Sequence, residues 1–475
     1  VSIHPDQLLP LADELREIFR ESGYTVDGVD ARLGPLATAA MGRDDPVPAL
    51  VAASGDDNLD VLIRLFLLAR DEPASAASFL PPQVLDATGP GRVRAALDLR
   101  PHEDDWWIAS DIERLHPPPA DHVIGVGAAS ATLLAATLRR PIATALDVGT
   151  GSGVQALHLS RHAAHVTATD ALPRAIDMAR LSFALSGIEP SGVELLCGDL
   201  LAPVAGREFD LVVSNPPFVL APPDGDALTY RDAPGGGAGL ARLLLDASDA
   251  LAPDGVAEVL TSWVVGDDGD WRSAPAAMVP DGFDALVLLR ELLDPAEHVA
   301  LWRDPDEPEE PATARSLRWL AHLAALGAEG IAYGLVVLRR TDEAARVRFF
   351  DLRGEATSPT ALRIGGWLDR TRDHRDLKTL ADQRLLVVTD AQLIEESSRE
   401  PEGWQLKTRR VVSAQALPET VGVDPITAAL LAGCDGRLPL STVAELLGAA
   451  AEVDPAQVVR VAARLVETGH LTVAT

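Results

Sequence analysis

Asp147-Val148-Gly149-Thr150-Gly151-Ser152-Gly153 follows the apolar run Ala145-Leu146 and leads into Val154-Gln155-Ala156-Leu157. The pattern predicts a strand over Thr144–Val148, a glycine loop, and a helix over Val154–Arg161. Glycines let a backbone turn sharply and approach a ligand closely. Taken alone, G-x-G-x-G after a strand is a weak signal. It serves a dinucleotide or only a tight strand-to-helix turn with no ligand.

The residues downstream sharpen it. A second strand, His165–Thr169, ends at Asp170, about 20 residues past Gly149, where an acid can accept hydrogen bonds from both ribose hydroxyls. A third, Val193–Cys197, ends in Gly198-Asp199-Leu200. A carboxylate there can accept the exocyclic amine of an adenine, with Leu200 close to the ring. A fourth, Phe209–Ser214, ends in Asn215-Pro216-Pro217-Phe218. All four signals sit at carboxyl ends of consecutive strands, the edge where open α/β sheets bind ligands. Asp210 lies at the start of its strand and is expected to be structural. From helix Ala128–Leu138 to about Arg340, strand and helix patterns alternate. This predicts an α/β fold with a doubly wound, mostly parallel sheet.

The series DVGTGSG, TD, GDL and VVSNPPF resembles the class I S-adenosylmethionine (SAM)-dependent methyltransferases, in the group with an (N/D)-P-P-(Y/F) motif. The resemblance covers about 120–340 and implies a Rossmann-like methyltransferase core with SAM as cofactor. It implies that Asp147 fixes the loop, that Gly149, Gly151 and Gly153 line the methionine moiety, that Asp170 takes the ribose, and that Asp199 and Leu200 take the adenine. The segment His122–Ser130 is similar to the one that covers the cofactor in related enzymes. Asn215, Pro216 and Phe218 are implied as the catalytic residues, with Asn215 also at the cofactor. No metal is expected.

A planar amine or amide nitrogen is a poor nucleophile because its lone pair is delocalised. The Asn215 side-chain oxygen and the Pro216 carbonyl, as the resemblance implies, accept from its two N–H groups and favour the geometry in which the lone pair faces the methyl. Two prolines fix this backbone and bring no N–H donors of their own. Phe218 lies against the flat face of the target, and an aromatic face favours positive charge by about 0.5–2 kcal/mol. Enzymes of this group methylate glutamine amides in proteins, adenine N6, or guanine N2 in ribosomal RNA. The stretch Leu228–Leu240, with Gly235-Gly236-Gly237, resembles the segment after the motif in release-factor glutamine methyltransferases of the HemK/PrmC type. Arg231 stands where those have an acid. VSNPPF looks equally like the small-domain rRNA guanine N2-methyltransferases. A protein glutamine amide is the first expectation; a nucleic-acid base or a small molecule is the alternative.

Three domains are expected: 1–116, 117–342 and 343–475. Pro10–Glu21 places Leu11, Leu15, Ile18 and Phe19 on one face. Asn58–Arg70 reads as an apolar helix capped by Asn58, Val93–Arg100 as a strand, and Trp106-Trp107-Ile108 as another. Helices followed by a two-stranded ribbon predict a winged-helix-like module, with its second helix too apolar for a DNA groove. Pro117-Pro118-Pro119 marks a stiff boundary, and Trp302–Pro311 an acidic surface loop. Val347–Val411 reads as strands and loops, with basic residues through 346–410 that offer a grip for nucleic acid. Three helices and a strand from Pro425 onward again look winged-helix-like. Asp454-Pro455 starts the last helix and Gly469 ends it.

At 475 residues with 47% hydrophobic content, the chain can bury roughly two to four cores. The net charge of −30 removes the general positive field by which nucleic-acid binders gain affinity, though a local patch remains compatible with it. Cys197 and Cys434 stand alone, so neither a zinc framework nor a disulfide scaffold is legible. The sequence has neither a signal-peptide pattern nor an apolar run of membrane-spanning length. The expected setting is the cytoplasm, without membrane contact.

Overall fold

A computed structural model describes all residues except 1–3, 44, 104, 113–118, 120, 189–191, 224–231, 233–246, 304–307, 354–359, 402, 415, 418–420 and 475. The boundary prolines 117 and 118, most of the stretch Leu228–Leu240, and the centre of the acidic loop therefore lie outside the described residues. The chain divides into two compact units. The first comprises Val1–Leu134, Arg140–Ala285 and Leu292–Val347; the second comprises Ala135–Arg139, Leu286–Glu291 and Arg348–Thr475.

The first unit opens with helices α1 (Ala12–Glu21), α2 (Val26–Met41), α3 (Val47–Ala52) and α4 (Asn58–Leu62). Leu15 and Phe19 of α1 are buried, as the helical spacing predicts. The cap of α4 is Asp57, one residue before the expected Asn58: its backbone is extended and its carboxylate accepts from Asp60 N at 2.9 Å. The helix does not run on to Arg70 but passes into a π-helical stretch, Ile63–Leu67. Strands β1 (Glu72–Pro73), β2 (Leu85–Gly89) and β3 (Arg92–Ala95) form one sheet. Strands β4 (Asp98–His102) and β5 (Trp106–Ser110) form a separate hairpin. The single strand expected over Val93–Arg100 is thus two, broken at Ala96-Leu97 where the ladder changes partner.

The main sheet holds β6 (Ile142–Val148), β7 (Ala163–Asp170), β8 (Val193–Cys197), β9 (Phe209–Ser214), β10 (Leu251–Val265), β11 (Phe283–Leu293), β12 (Gly330–Arg340) and β13 (Val347–Asp351). Its order is β13-β11-β12-β10-β9-β6-β7-β8. The neighbours β8/β7, β7/β6, β6/β9 and β9/β10 are parallel, and β10/β12 is antiparallel. This is the doubly wound, mostly parallel α/β sheet that the sequence predicts. From β6 the chain winds outward to β7 and β8, then returns to β9 on the other side. The crevice between the ends of β6 and β9 is the topological switch point. Asp210 accepts from the backbone N–H groups of Ala143 and Thr144 at 3.0 and 2.9 Å, the structural role expected of it.

Helix α5 (Ala128–Ala136) precedes β6, α6 (Val154–Leu159) follows it, and α7 (Pro173–Leu185) follows β7. α7 is buried on nearly every side, with Ala175, Met178, Leu181 and Leu185 inside the core of the N-terminal helices. The β4–β5 hairpin docks its backbone on the same helix: Ala109 N donates to Ser182 Oγ at 2.9 Å and Trp107 N to Ser186 Oγ at 3.2 Å. Trp107 is fully buried, and its indole donates to Tyr24 O at 2.8 Å. Burial of a side chain this size is worth several kcal/mol; its truncation to alanine costs about 3–5 kcal/mol.

In the second unit, helices Thr360–Asp373 and Leu377–Ala381 stand where strands and loops were expected. Ile364, Trp367, Leu368 and Thr371 are the buried positions, a spacing of three and four residues that only a helix puts on one face. Strands β14 (Arg384–Val387), β15 (Gln392–Glu400), β16 (Gly403–Val412), β17 (Val421–Gly422), β18 (Asp435–Pro439) and β19 (Leu471–Val473) form two sheets, β18-β14-β19 and β15-β16-β17. Helices Pro425–Gly433, Leu440–Ala451 and Pro455–Thr468 pack on the first of these around Leu430, Val458 and Leu465. The three helices thus pack on a three-stranded sheet whose middle strand, β14, is drawn from upstream. Asp454 caps the last helix by accepting from Ala456 N, and Gly469 ends it at φ 89°. Among the described residues, no helix is long and apolar enough to cross a membrane.

Candidate active site at the sheet switch point

Val148 and Ser214 pair across β6 and β9, and Ser214 Oγ donates to Val148 O at 2.8 Å. The glycine loop and the Asn215-Pro216-Pro217-Phe218 segment therefore leave the sheet side by side. Gly149, Gly151 and Gly153 all have positive φ, at 75°, 54° and 88°. A Cβ placed on Gly149 or Gly151 would meet no atom within 4 Å, so these residues face open space in which a ligand can lie. Gly153 is more crowded. A Cβ there would meet Ala179 Cα and Cβ at 3.0 Å, so close packing of α6 on α7 adds to the positive φ in demanding glycine.

Asp147 lies beneath the loop, 1% exposed. It accepts from Thr150 Oγ1 at 2.7 Å and Ala156 N at 3.2 Å, which holds both ends of the turn. Burial pushes its carboxyl up to about 7. Asp170, at the tip of β7, accepts from Gly151 N and Leu172 N, each at 2.9 Å. Burial raises its pKa too, against the pull of those backbone donors. Each carboxylate oxygen has further lone pairs, so Asp170 can brace the loop and still meet a ribose. Asp199 and Leu200 follow β8; Leu200 adopts φ 45°, and its carbonyl accepts from Thr169 Oγ1 at 3.0 Å. Both residues line a cavity of about 400 Å³ with Val204, Arg207 and Asp249.

Asn215 is held by its amide nitrogen, which donates to Ser130 Oγ at 3.3 Å. Its Oδ1 is buried and, among the described residues, has no hydrogen-bond partner. A buried acceptor left unmade costs about 1–3 kcal/mol, so this atom is poised for an incoming N–H. Ser130 is placed from two sides. Its carbonyl accepts from Gln155 Nε2 at 2.9 Å. The chain leading to it is tied down at Val123, whose N–H donates to Asp111 Oδ2 at 2.9 Å. Asp111 is in turn buried against Arg174 of α7, Nε to Oδ2 at 3.0 Å.

Phe218 is half-buried at the rim of an apolar cluster that contains Val219, Leu220, Trp319, Ile331 and Tyr333. Its carbonyl accepts from Ser262 Oγ, and its ring meets Tyr333 edge-on with centroids 6.0 Å apart. Ser262 and Tyr333 are register partners on β10 and β12. Tyr333 OH lies 2.6 Å from His298 Nδ1 and accepts from Trp302 Nε1 at 3.2 Å; His298 Nε2 is 3.2 Å from Leu220 O. With Nε2 protonated and Nδ1 accepting from the tyrosine, every group in this chain is matched. Ser262, Tyr333 and His298 carry no motif, and sequence reading passed over them.

The residues present fit SAM. Open glycine positions offer room for the amino-acid end, acids stand at the tips of β7 and β8, and an unmatched acceptor lies beside the loop at Asn215.

Parts of the chain are similar to known proteins. The family described as "Methyltransferase small domain" matches residues 125–231, and two domains of unknown function, DUF7059 and DUF7782, match 21–100 and 362–472. The release factor glutamine methyltransferase of Deinococcus radiodurans is 50% identical over 76 residues, 16% of this chain and 26% of that protein. The ribosomal protein uL3 glutamine methyltransferase of Bradyrhizobium diazoefficiens is 36% identical over 121 residues, 23% and 38% of the two chains. The ribosomal RNA small subunit methyltransferase C of Serratia proteamaculans is 32% identical over 120 residues, 24% and 33%. The chain thus spans well under half the length of these relatives. A solved SAM-dependent methyltransferase from Thiobacillus denitrificans, in complex with S-adenosyl-L-homocysteine, aligns at 19% identity and TM-score 0.25 over 48% of this chain and 94% of that one. Residues 125–231 of this chain, which hold the glycine loop and the Asn-Pro-Pro-Phe segment, are thus similar to the small methyltransferase domain.

Proposed function

We propose that the protein transfers a methyl group from SAM to a planar nitrogen of a protein substrate, a glutamine-type side-chain amide. The observation that carries the reading is Asn215 Oδ1: buried, unmatched, and beside a glycine loop open to a ligand. SAM supplies an electrophilic methyl on a sulfonium. The chain's own residues do the rest by position. Asn215 Oδ1 and the Pro216 carbonyl accept from the two amide N–H groups and turn the lone pair toward the methyl. Phe218, with its backbone anchored at Ser262, sets the flat face of the amide. Alignment of this kind supplies about 7–11 kcal/mol of a displacement barrier, and no general base is required before transfer.

Charge supports a protein over a polynucleotide. The net charge is −30. Many of the arginines in the basic stretch are committed to carboxylates: Arg348 to Glu467, Arg353 to Asp351, Arg372 to Asp369 and Asp373, Arg409 to Glu395, and Arg410 to Glu396. Arg370 is half-buried, with Nε donating to Glu467 O at 3.2 Å. Phosphate binding would have to break such pairs.

The test is transfer of radiolabelled methyl from SAM into fractionated extract, wild type against Asn215→Ala. Label in protein that depends on Asn215 supports the amide reading. Asn215-dependent label in RNA or DNA overturns it in favour of a base nitrogen, and label confined to small molecules overturns it in favour of a small acceptor.

A further inference from the structure

We propose that the turn of the β4–β5 hairpin and helix α6 together form a binding site for one divalent transition-metal ion, zinc being the ion whose chemistry fits, with His102, Glu103 and His158 as ligands. His102 Nε2 lies 2.8 Å from His158 Nε2, and Glu103 Oε1 lies 3.5 Å from the same His158 nitrogen. The three donor atoms fall within 4.8 Å of one another. Two imidazole nitrogens and a carboxylate oxygen are the ligand set of open zinc sites, which keep a further position for water.

The arrangement of the rings favours an ion over a bare contact between imidazoles. The ring planes are 74° apart with centroids 5.1 Å apart, so the rings do not stack; they meet through their Nε2 atoms, 2.8 Å apart. A hydrogen bond between the two histidines would use one N–H and leave the carboxylate without a part in it. Glu103 holds φ 47°, a left-handed conformation that costs a non-glycine residue free energy, and it brings its carboxylate to the two rings.

The surroundings are those of a built site. His158 is buried, His102 is half-buried and Glu103 is more exposed, which leaves an entry side. Trp106 meets His158 edge-on at 5.2 Å and walls the site. Arg161 stacks over Trp106 at 3.9 Å and pairs with the second Glu103 oxygen, as an outer partner that orients a ligating carboxylate. Its positive charge weakens cation binding, which favours an ion with strong imidazole affinity over a hard ion such as magnesium. α6 begins directly after Gly153. An ion at His158 would therefore pin the far turn of the helix that carries the glycine loop.

The experiment uses the full chain, stripped with a chelator and titrated with Zn²⁺ by calorimetry, with Co²⁺ as a spectroscopic probe. One ion per chain is expected, with visible Co²⁺ bands of low coordination number and a rise in Tm with free Zn²⁺. His102→Ala and Glu103→Gln should each weaken binding by more than about tenfold, the loss that even an outer-shell partner costs. His158 is buried, so its replacement risks the fold; His102 and Glu103 decide the matter. An absence of saturable one-to-one binding, or equal affinity in wild type, His102→Ala and Glu103→Gln, would overturn the proposal.

Discussion

At the glycine loop the bracing partners are close in sequence: Thr150 to Asp147 across three residues, Leu172 to Asp170 across two, Gly151 to Asp170 across 19. Around the acceptor segment they are distant. Asn215 reaches Ser130 across 85 residues, Phe218 reaches Ser262 across 44, and Leu220 reaches His298 across 78. The two halves of one site are thus encoded differently. The loop proposed to hold the cofactor is a short motif with its own internal bonds. In the proposed function, the acceptor is held by pairs that exist only after the sheet has found its register.

Asn215→Ala tests the sharpest form of that difference. Removal of one preorganised group of this kind costs about 10²–10³ in kcat. The loss should fall on methyl transfer, with the dissociation constant for SAM, read by calorimetry, changed by no more than about threefold. An equal loss in SAM affinity would place Asn215 on the cofactor side of the comparison.

Asp147 gives the next effect, on stability. Its carboxyl sits at about 7 in the folded protein against 3.8 for the free group, because it is buried. Between those values the native state keeps a proton that the unfolded chain has released. The native state then binds more protons, so its stability falls as pH rises from about 4 to about 7 and is level on either side. Each unit of difference is worth about 1.4 kcal/mol at most. Urea midpoints of ligand-free protein at pH 5 and pH 8 should show that fall, and Asp147→Asn should flatten it. A slope that survives the substitution would assign it to another group.

This contrast also explains what was legible in the sequence. Strands β6 to β9, the glycine turn, Asp170 and the placement of Asn215 follow from period and motif, and they stand where the pattern puts them. The misreadings have separate physical causes. Val93–Arg100 alternates as one strand, yet β3 and β4 bond to different sheets. The helix Thr360–Asp373 was missed because its abundant arginines read as a loop, while the buried Ile364, Trp367 and Leu368 set its face. Ser262, Tyr333 and His298 had no signal at all, since their meaning rests on a cross-strand pair.

On the cofactor side, Asp170→Ala removes a charged acceptor that braces Gly151 and, in the proposed function, meets the ribose. A hydrogen bond to a charged group is worth about 1.5–3 kcal/mol, so SAM affinity should fall by roughly tenfold to a hundredfold. The acceptor's KM should stay near its wild-type value. If KM moves and SAM affinity does not, the division of labour between the two halves is wrong.

The smallest effect is the one that probes register. Ser262 contributes a single neutral hydrogen bond to the Phe218 carbonyl, opposite Tyr333 on the next strand. Loss of such a bond costs about 0.5–1.5 kcal/mol. Ser262→Ala should therefore lower kcat/KM for the acceptor by about twofold to tenfold and leave SAM binding as it was. The serine lies inside a long ladder of β10 and β12, so the sheet itself should persist. Ser262→Thr keeps the hydroxyl and should restore most of the loss, which a purely steric role for the small side chain would not predict. If both substitutions leave acceptor kinetics unchanged, the Asn-Pro-Pro-Phe segment holds its shape through its own prolines. The acceptor side would then be as locally encoded as the glycine loop.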